Sequence, residues 1–209
     1  MYFLRKFNIV VLFTCMSITS FAQTVAEQWI CMPDEFAPYI NTNQKKEMIE
    51  SYNINVDSGV KNKFEGTTAI DTLTVDYGKF VLSEARDIQI LRLPSKNDSI
   101  FCMIDTYKGP EAQSTIRFFD IRWEEISCEG KIQAYTIDDF IQKPDTMSVN
   151  TYRELRDMFV PELIEYDYDI STQTLTVSPS FPLLTADERN ILNAVVCKRT
   201  LKWVGERFK

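Results

Sequence analysis

The chain contains no histidine, and this absence excludes several classes of enzyme and metal site. Hydrolases that activate serine or cysteine with an imidazole are excluded, as are histidine-containing zinc sites and histidine-ligated haem. Glycine is also scarce, with 6 residues in 209, and no GxGxxG, GxxxxGK[ST] or GxSxG motif occurs. What remains is carboxylate chemistry, calcium or magnesium binding through oxygen ligands, cysteine chemistry, or no catalysis.

Residues 1–22 have the pattern of an export signal. Arg5 and Lys6 precede an apolar run of about a dozen residues, and Ser20-Phe21-Ala22 ahead of Gln23 matches a small-x-small cleavage site. The run is too short for a transmembrane helix, which needs about 20 apolar residues. The sequence therefore predicts a protein exported to the periplasm or cell surface, with no transmembrane segment. The alternative is a lipoprotein signal, in which Cys15 becomes the acylated first residue of the mature protein.

Cleavage before Gln23 removes 22 of the 209 residues and leaves 187, enough to bury the core of one domain or two small subdomains. The mature chain carries 21 basic residues against 30 acidic ones, a net charge of −9, and the basic residues are spread along the sequence. Such a surface repels phosphate backbones, so nucleic acid is not an expected partner. The expected partner is a protein or glycan of the cell envelope.

A helix followed by an antiparallel meander is predicted for residues 23–142. Asn41 and Gln44 form a capping box for an amphipathic helix over residues 42–52. Two-fold alternation then predicts about five strands joined by short turns. These strands lie near residues 72–76, 79–83, 88–93, 99–107 and 115–121. Connections this short favour antiparallel neighbours, and the strand over residues 99–107, apolar on both faces, is placed centrally.

Residues 143–150 are a predicted linker to a second half, residues 151–209, made of a helix, a hairpin, a helix and a strand. Capping boxes at Thr151 and Thr185 begin the two helices, and residues 163–170 and 174–178 form the hairpin. The predicted fold class is therefore α+β with a mainly antiparallel sheet. We expect the two halves to pack as one compact unit.

Several short motifs give the chain a resemblance to a known family. They are Met32-Pro33-Asp34, Pro38-Tyr39-Ile40, Gly109-Pro110 ahead of residues 116–120 and Trp123, and Trp203-x-Gly205-x-x-Phe208. Over nearly the whole mature chain, the sequence resembles a family of exported Bacteroidetes proteins catalogued only as a domain of unknown function. The resemblance implies export from a Gram-negative cell and a single-family domain. It implies no activity, ligand or catalytic residue.

The resemblance also implies O-glycosylation, because exported proteins of that phylum are often modified at Asp followed by Ser or Thr and then a small or aliphatic residue. Three places fit the pattern, at Thr72, Ser99 and Thr146. Thr146 lies in the predicted linker and Ser99 beside a turn, where a bulky glycan is accommodated, whereas Thr72 lies inside a strand. We expect modification at Thr146 first, Ser99 second and Thr72 least.

A row of carboxylates is the candidate metal site. Glu165, Asp167 and Asp169 alternate with apolar and aromatic residues, so a strand would place all three on one face. Calcium prefers such oxygen ligands, and paired carboxylates also hydrolyse glycosidic bonds. The solvent-exposed face of an ordinary strand explains the same alternation. Calcium is the one cation that this pattern indicates, and no other cofactor is predicted.

Four cysteines remain after cleavage, Cys31, Cys102, Cys128 and Cys197. In an oxidising compartment they could pair in three ways, between which the sequence does not choose. Cys102 lies among apolar residues and is expected to be buried. A nucleophilic cysteine is disfavoured because no histidine is present to activate it. We expect no more than one disulfide.

These observations favour an exported, non-enzymatic binding or structural module of the cell envelope. The alternative function is a carboxylate-dependent hydrolase acting on glycans, with Glu165, Asp167 or Asp169 among its acids. Aromatic residues make up 12% of the chain. They could line a sugar- or peptide-binding surface, although packing in the core is their commoner use.

Overall fold

The computed structural model describes residues 23–96, 99–159, 162–181, 185, 192 and 195–209. The predicted leader and Cys15 lie outside these residues. The helices in this part of the chain are α1 (Val25–Cys31), α2 (Thr42–Asn53), a 3-10 helix (Ile137–Asp139) and α3 (Val149–Asp157). The strands are β1 (Val60–Lys61), β2 (Thr67–Leu73), β3 (Tyr77–Ser83), β4 (Arg86–Pro94), β5 (Ser99–Tyr107), β6 (Gln113–Phe119), β7 (Glu125–Ile126), β8 (Leu163–Asp169), β9 (Thr174–Ser180), β10 (Arg199–Leu201), β11 (Trp203–Val204) and β12 (Arg207–Phe208). Within this part, no helix is long and apolar enough to cross a membrane.

The main sheet contains β1 to β7 in sequence order, and every neighbouring pair is antiparallel. The predicted antiparallel meander and the α+β fold class are therefore confirmed. β5 lies in the interior of the sheet between β4 and β6. Its side chains alternate between two cores, with Phe101 and Met103 in the first and Cys102 and Ile104 in the second. The sheet thus separates two apolar layers.

Two helices cover the first face of the main sheet. α2 begins with the predicted capping box, in which Asn41 Oδ1 accepts from Gln44 N at 3.0 Å. α1 was not predicted, although Thr24 and Glu27 form the same kind of box directly after the expected cleavage site. Trp29 of α1 stacks on Phe80 of β3 with ring centroids 3.9 Å apart. The helices therefore bury the first face of the sheet, including the ring of Phe80.

Gly78 permits this close packing. The sequence places it in a turn, but it belongs to β3, where a Cβ atom would lie 2.7 Å from the Phe80 ring and 2.9 Å from Val25. Glycine within a strand often marks such a close approach of another group. A side chain at this position would therefore push α1 away from the sheet.

A smaller sheet and a hairpin cover the second face. The order of the smaller sheet is β10–β9–β8, and β11 pairs with β12. Its predicted hairpin, β8 and β9, is confirmed. Leu175 and Val177 of β9 pack with Leu91 of β4, Phe118 of β6 and Phe208 of β12 in the second core. The C-terminal segments therefore share a core with the meander.

Three details of the second half differ from the sequence prediction. α3 begins at Val149, and its cap is Ser148, whose hydroxyl accepts from Thr151 N at 3.1 Å, so the start at Thr151 was wrong. Residues 149–150 of the predicted linker are the first turn of this helix. The single last strand is divided into β10 and β11, and the chain then reverses through Gly205 and Glu206, which both have positive φ. The helix predicted from Thr185 lies mostly outside the described residues.

Candidate binding cleft

The structure places the three predicted carboxylates on one face of β8, but each has a different environment. Asp167 accepts a hydrogen bond from Gln89 Nε2 of β4 at 2.7 Å. Asp169 caps the hairpin turn, and hydrogen bonds from Ser171 and Thr172 lower its pKa. Partial burial, followed by the charge of Asp167, raises the pKa of Glu165. The three carboxylates therefore have no hydrogen-bond partner in common.

A metal site at this row stays a prediction. Among the described residues, no group of three or more acidic or cysteine side chains is arranged to hold a metal ion. To bind calcium, Asp167 would have to give up its hydrogen bond with Gln89. Asp169 would have to give up its hydrogen bonds with Ser171 and Thr172 in the hairpin turn.

The four cysteines are free in the structure. Cys102 is completely buried, as predicted, and burial raises the pKa of its thiol well above the usual value. Cys128 is half-buried, and burial also raises its pKa. Cys31, the last residue of α1, is exposed. Raised pKa values oppose thiolate formation, so the environments of Cys102 and Cys128 disfavour a nucleophilic role.

The three predicted glycosylation sites differ in accessibility. Thr146 is exposed in a turn closed by a hydrogen bond from Met147 N to Pro144 O at 3.0 Å. Ser99 is half-buried at the first residue of β5. Thr72 is half-buried in β2, and its hydroxyl donates to Asp71 at 3.2 Å. Modification itself stays a prediction at all three sites.

A cleft of about 640 Å³ lies where the main sheet, the β8–β9 hairpin and the C-terminal hairpin meet. We call it the cleft. Its aromatic side chains are Tyr77, Tyr168 and Trp203, and its aliphatic or proline side chains are Leu91, Leu93, Pro94, Ile170 and Val204. Its polar side chains are Thr74, Asp76, Arg92, Ser99, Gln173 and Lys202. An apolar hollow with a few convergent polar groups is the usual form of a small-ligand site.

The C-terminal hairpin forms one wall of the cleft. Trp203 Nε1 donates to the carbonyl of Pro94 at 2.9 Å, which holds the indole ring against the end of β4. The Glu206 carboxylate accepts hydrogen bonds from Ser95 Oγ at 2.5 Å and Lys96 N at 2.7 Å. These hydrogen bonds lower the pKa of Glu206. The wall is therefore fastened to the main sheet by polar contacts as well as by packing.

The end of β8 forms the opposite wall. The Tyr168 ring lies 5.7 Å from the Tyr77 ring of β3, centroid to centroid. Because neighbouring side chains of a strand point to opposite faces, Tyr168 faces the cleft while Asp167 and Asp169 face away from it. The carboxylates that the sequence suggested for catalysis are therefore not lining residues of the cleft.

Among the described side chains that line the cleft, one is a carboxylate, that of Asp76. Arg92 Nε donates to it at 2.5 Å, and the Arg92 backbone N–H donates to the Asp76 carbonyl at 2.8 Å. Burial raises the pKa of both Tyr77 and Tyr168, with the charge of Asp167 adding to the effect at Tyr77. Both phenols are therefore protonated at neutral pH and available as hydrogen-bond donors.

A hollow of about 740 Å³ lies elsewhere, beside Tyr39 and the exposed ring of Phe64. Glu84 is the charged residue among its lining side chains. This hollow lacks the combination found in the cleft, where three aromatic rings lie beside the Asp76–Arg92 pair. The cleft is therefore the stronger candidate site.

The cleft is not apparent from any local pattern in the sequence. The Trp203-x-Gly205-x-x-Phe208 motif was noticed, and its rings do pack under the sheet, with Trp203 and Phe208 centroids 5.0 Å apart. Tyr77 and Tyr168 carried no signal beyond ordinary strand alternation. The contact between the two rings depends on which faces of the two sheets pack together, and a local sequence pattern does not predict this packing.

Comparison with known proteins defines the family. Residues 17–208 match the family described as a protein of unknown function, DUF3256, and the chain belongs to this family. The fold is similar to the solved structure of a domain of an uncharacterized protein from Porphyromonas gingivalis W83, with a TM-score of 0.74 and 18% sequence identity. The similarity covers 90% of this chain and 98% of that one, and at this identity it shows the fold alone. No match is found among curated proteins.

Proposed function

We propose that the protein is an exported, non-enzymatic binding module of the cell envelope that holds a glycan chain in the cleft. The observation that carries the proposal is the combination of accessible rings and planar polar groups along one open cleft. Tyr168 and Trp203 are half-buried on its two walls, with the Asp76–Arg92 pair and Gln173 beside them.

A sugar ring offers two kinds of surface that this cleft matches. Its C–H face packs on aromatic rings, which bring large apolar area at low conformational cost. Its hydroxyls donate and accept hydrogen bonds, which suits a carboxylate, a guanidinium and a primary amide. Asp76 accepts, Arg92 donates, and Gln173 does both. The lining of the cleft therefore supports a hydroxyl-rich ligand more than a purely apolar one.

Binding is favoured over hydrolysis by the number of acids in the cleft. Glycosidases use two carboxyl groups about 5 to 10 Å apart, one of which is protonated to act as the acid. Among the described residues that line the cleft, one carries a carboxylate, Asp76, and Arg92 pairs with it by direct contact. Glu165, Asp167 and Asp169 are not among the lining residues, which supports binding over hydrolysis.

Export is part of the proposal and rests on the leader. N-terminal sequencing of the mature protein tests it directly. A start at Gln23 supports export with cleavage at the predicted site. A start at an acylated Cys15 places the protein among lipoproteins, and an intact Met1 overturns both versions.

Trp203 provides a native reporter for ligand binding. The other two tryptophans are buried, Trp29 at 0% and Trp123 at 8% exposure. Acrylamide therefore quenches mainly Trp203 in the folded protein. We expect a panel of neutral oligosaccharides of defined composition, including β-linked glucose, galactose and N-acetylglucosamine oligomers, to contain a ligand that protects this fluorescence.

Matched tyrosine variants test the location of binding. Tyr168→Ala removes a ring from the cleft and should weaken binding about tenfold, whereas Tyr168→Phe keeps the ring and most of the affinity. Tyr107→Ala is the control, because Tyr107 is 49% exposed and does not line the cleft. Protection of Trp203 by no oligosaccharide, or equal affinity in Tyr168→Ala, would overturn the proposal.

A further inference from the structure

Basic residues of the C-terminal hairpin gather with one lysine from a distant part of the sequence. They are Lys131, Lys202, Arg207 and Lys209, which we call the basic ridge. Lys202, Arg207 and Lys209 are exposed, and Lys131 is half-buried. Their side chains form no ion pair or hydrogen bond with another of the described residues, although the chain has 30 acidic residues against 23 basic ones. The ridge is therefore a local concentration of positive charge on an acidic protein.

Strand pairing places three of these side chains, those of Lys202, Arg207 and Lys209, on the outer face of the hairpin. Trp203 pairs with Phe208, and both contribute to the second core. Lys202 and Lys209 exchange two backbone hydrogen bonds, at 2.9 and 3.0 Å. Because paired residues share a face and successive residues alternate, the neighbours of the buried pair point outward. The outward side chains are Lys202, Val204, Arg207 and Lys209.

Glu206 is adjacent to Arg207 in sequence, and the charge of Lys131 helps to lower its pKa, but its one direct ion pair among the described residues is with Lys96. Its carboxylate is directed to Ser95 Oγ and Lys96 N at the end of β4. Hydrogen bonds from those donors hold the carboxylate ionised and away from the outer face. The cations of the ridge therefore have no direct ion pair with another described residue and can attract an anion from solution.

The ridge lies between the cleft and a second hollow of about 390 Å³. Lys202 lines the cleft. Arg207, Lys209 and Lys131 line the second hollow, together with the half-buried ring of Tyr135. A chain that leaves the cleft past Lys202 therefore meets the remaining cations of the ridge.

We infer that the glycan held in the cleft is anionic, and that its carboxylate or phosphate groups bind the basic ridge as the chain passes from the cleft to the second hollow. This inference rests on the proposed function and adds the charge class of the ligand. Unpaired surface cations attract a polyanion over a distance that salt shortens to about 10 Å at 0.1 M. The attraction adds affinity for acidic sugars and none for neutral ones.

The test compares probes that differ in charge. Oligogalacturonate carries a carboxylate on each sugar, a phosphorylated galactose oligomer carries phosphate, and a neutral galactose oligomer of the same length carries neither. We expect both anionic probes to bind more tightly than the neutral one at low salt, with the advantage lost at 0.5 M salt. The carboxylate and phosphate probes together identify which acid is preferred.

Arg207→Gln/Lys209→Gln removes two cations of the ridge without changing a residue that lines the cleft. We expect about fivefold weaker binding of the preferred anionic probe, since each exposed ion pair contributes only a small part of the affinity, and unchanged binding of the neutral probe. Lys46→Gln/Lys143→Gln is the control, because both lysines are exposed, lie outside the cleft and the ridge, and change the net charge equally. The control should change affinity less than twofold.

The outcomes separate the two proposals. If the neutral and anionic probes bind equally well at low salt, or if the control loses as much affinity as the ridge variant, the inference is wrong and the cleft proposal stands. Binding of the anionic probes that Tyr168→Ala leaves unchanged also overturns the inference, since one ligand must occupy both places. If phosphatidylglycerol vesicles bind and neither class of oligosaccharide does, both proposals fail in favour of a lipid surface.

Discussion

Glu206 and Ser95 join the last hairpin to the end of β4, across 111 residues of sequence, through a hydrogen bond of 2.5 Å from the serine hydroxyl to the carboxylate. Trp203 supports the same junction by donating to Pro94. The position of the hairpin sets both the wall of the cleft and the outward direction of the basic ridge. The stability of this junction should therefore control both proposed binding surfaces.

Acidification should loosen this junction. The pKa of Glu206 in the folded protein lies below the ordinary value of 4.5, so its contribution to stability is present above pH 4.5 and is lost as the pH falls through the lower folded value. We expect acrylamide quenching of Trp203 to increase in that range, and Glu206→Gln to remove this step. Glu129→Gln, which changes an exposed acid outside the junction, should keep it. An unchanged step in Glu206→Gln would contradict the assignment.

The buried ion pair of Arg86 and Asp105 should matter more for stability than an exposed pair. Arg86 donates to both carboxylate oxygens at 2.8 Å, and each side chain is 7% exposed. Asp105→Ala leaves a buried guanidinium without its carboxylate and should lower the free energy of unfolding by about 3 kcal/mol. Asp76→Ala breaks the pair with Arg92, in which Asp76 is 61% exposed, and should cost less than about 1 kcal/mol. Urea unfolding measures both, and a reversed order would refute the argument.

Thiol reactivity should follow burial. Cys31 is exposed and should react first in the native protein, whereas Cys102 should react only on unfolding because it is buried and its pKa is raised.

We also expect at most one disulfide, because a domain of this size is stable on its core alone. Titration of denatured, unreduced protein should then find at least two free thiols. Finding none would mean two disulfides.

Glycosylation should favour Thr146, because it is exposed in a turn, over Ser99 and Thr72, which are half-buried at the start of β5 and within β2. Protein purified from its native envelope should lose glycan mass in Thr146→Ala and keep it in Thr72→Ala. Intact-mass measurement is the check. A wild-type mass equal to that of the bare polypeptide would exclude all three sites.

The calcium prediction for the β8 carboxylates has an equally direct test. If the row binds calcium, Glu165, Asp167 and Asp169 should take part, and Asp167→Ala should abolish the heat seen in a calorimetric titration. Gln89→Ala, which frees Asp167 from its hydrogen bond, should then strengthen binding. The prediction should be dropped if no heat appears at millimolar calcium or if Asp167→Ala binds as before.

Local patterns predicted most of the meander and little of the candidate site. The Asn41–Gln44 capping box and the two-sided apolar strand β5 were recognised because each signal lies within a few neighbouring residues. α1 was missed because its seven residues follow directly on the leader. The start of α3 was misplaced because Ser148 and Thr151 are both capable caps, and the choice between them depends on the fold around α3.

The sequence by itself determined the α+β class, the antiparallel order of the strands and the opposite faces of Tyr168 and Asp167, since each depends on periodicity or on short connections. Only the tertiary structure decided that Tyr168 faces Trp203 across a cleft, and that Lys131 joins Lys202, Arg207 and Lys209 on one surface. The physical reason is that the alternation along a strand predicts which of its side chains share a face. It does not predict which face of another sheet packs against them. That choice is made by packing between segments about a hundred residues apart, and the candidate site lies at the contact between them.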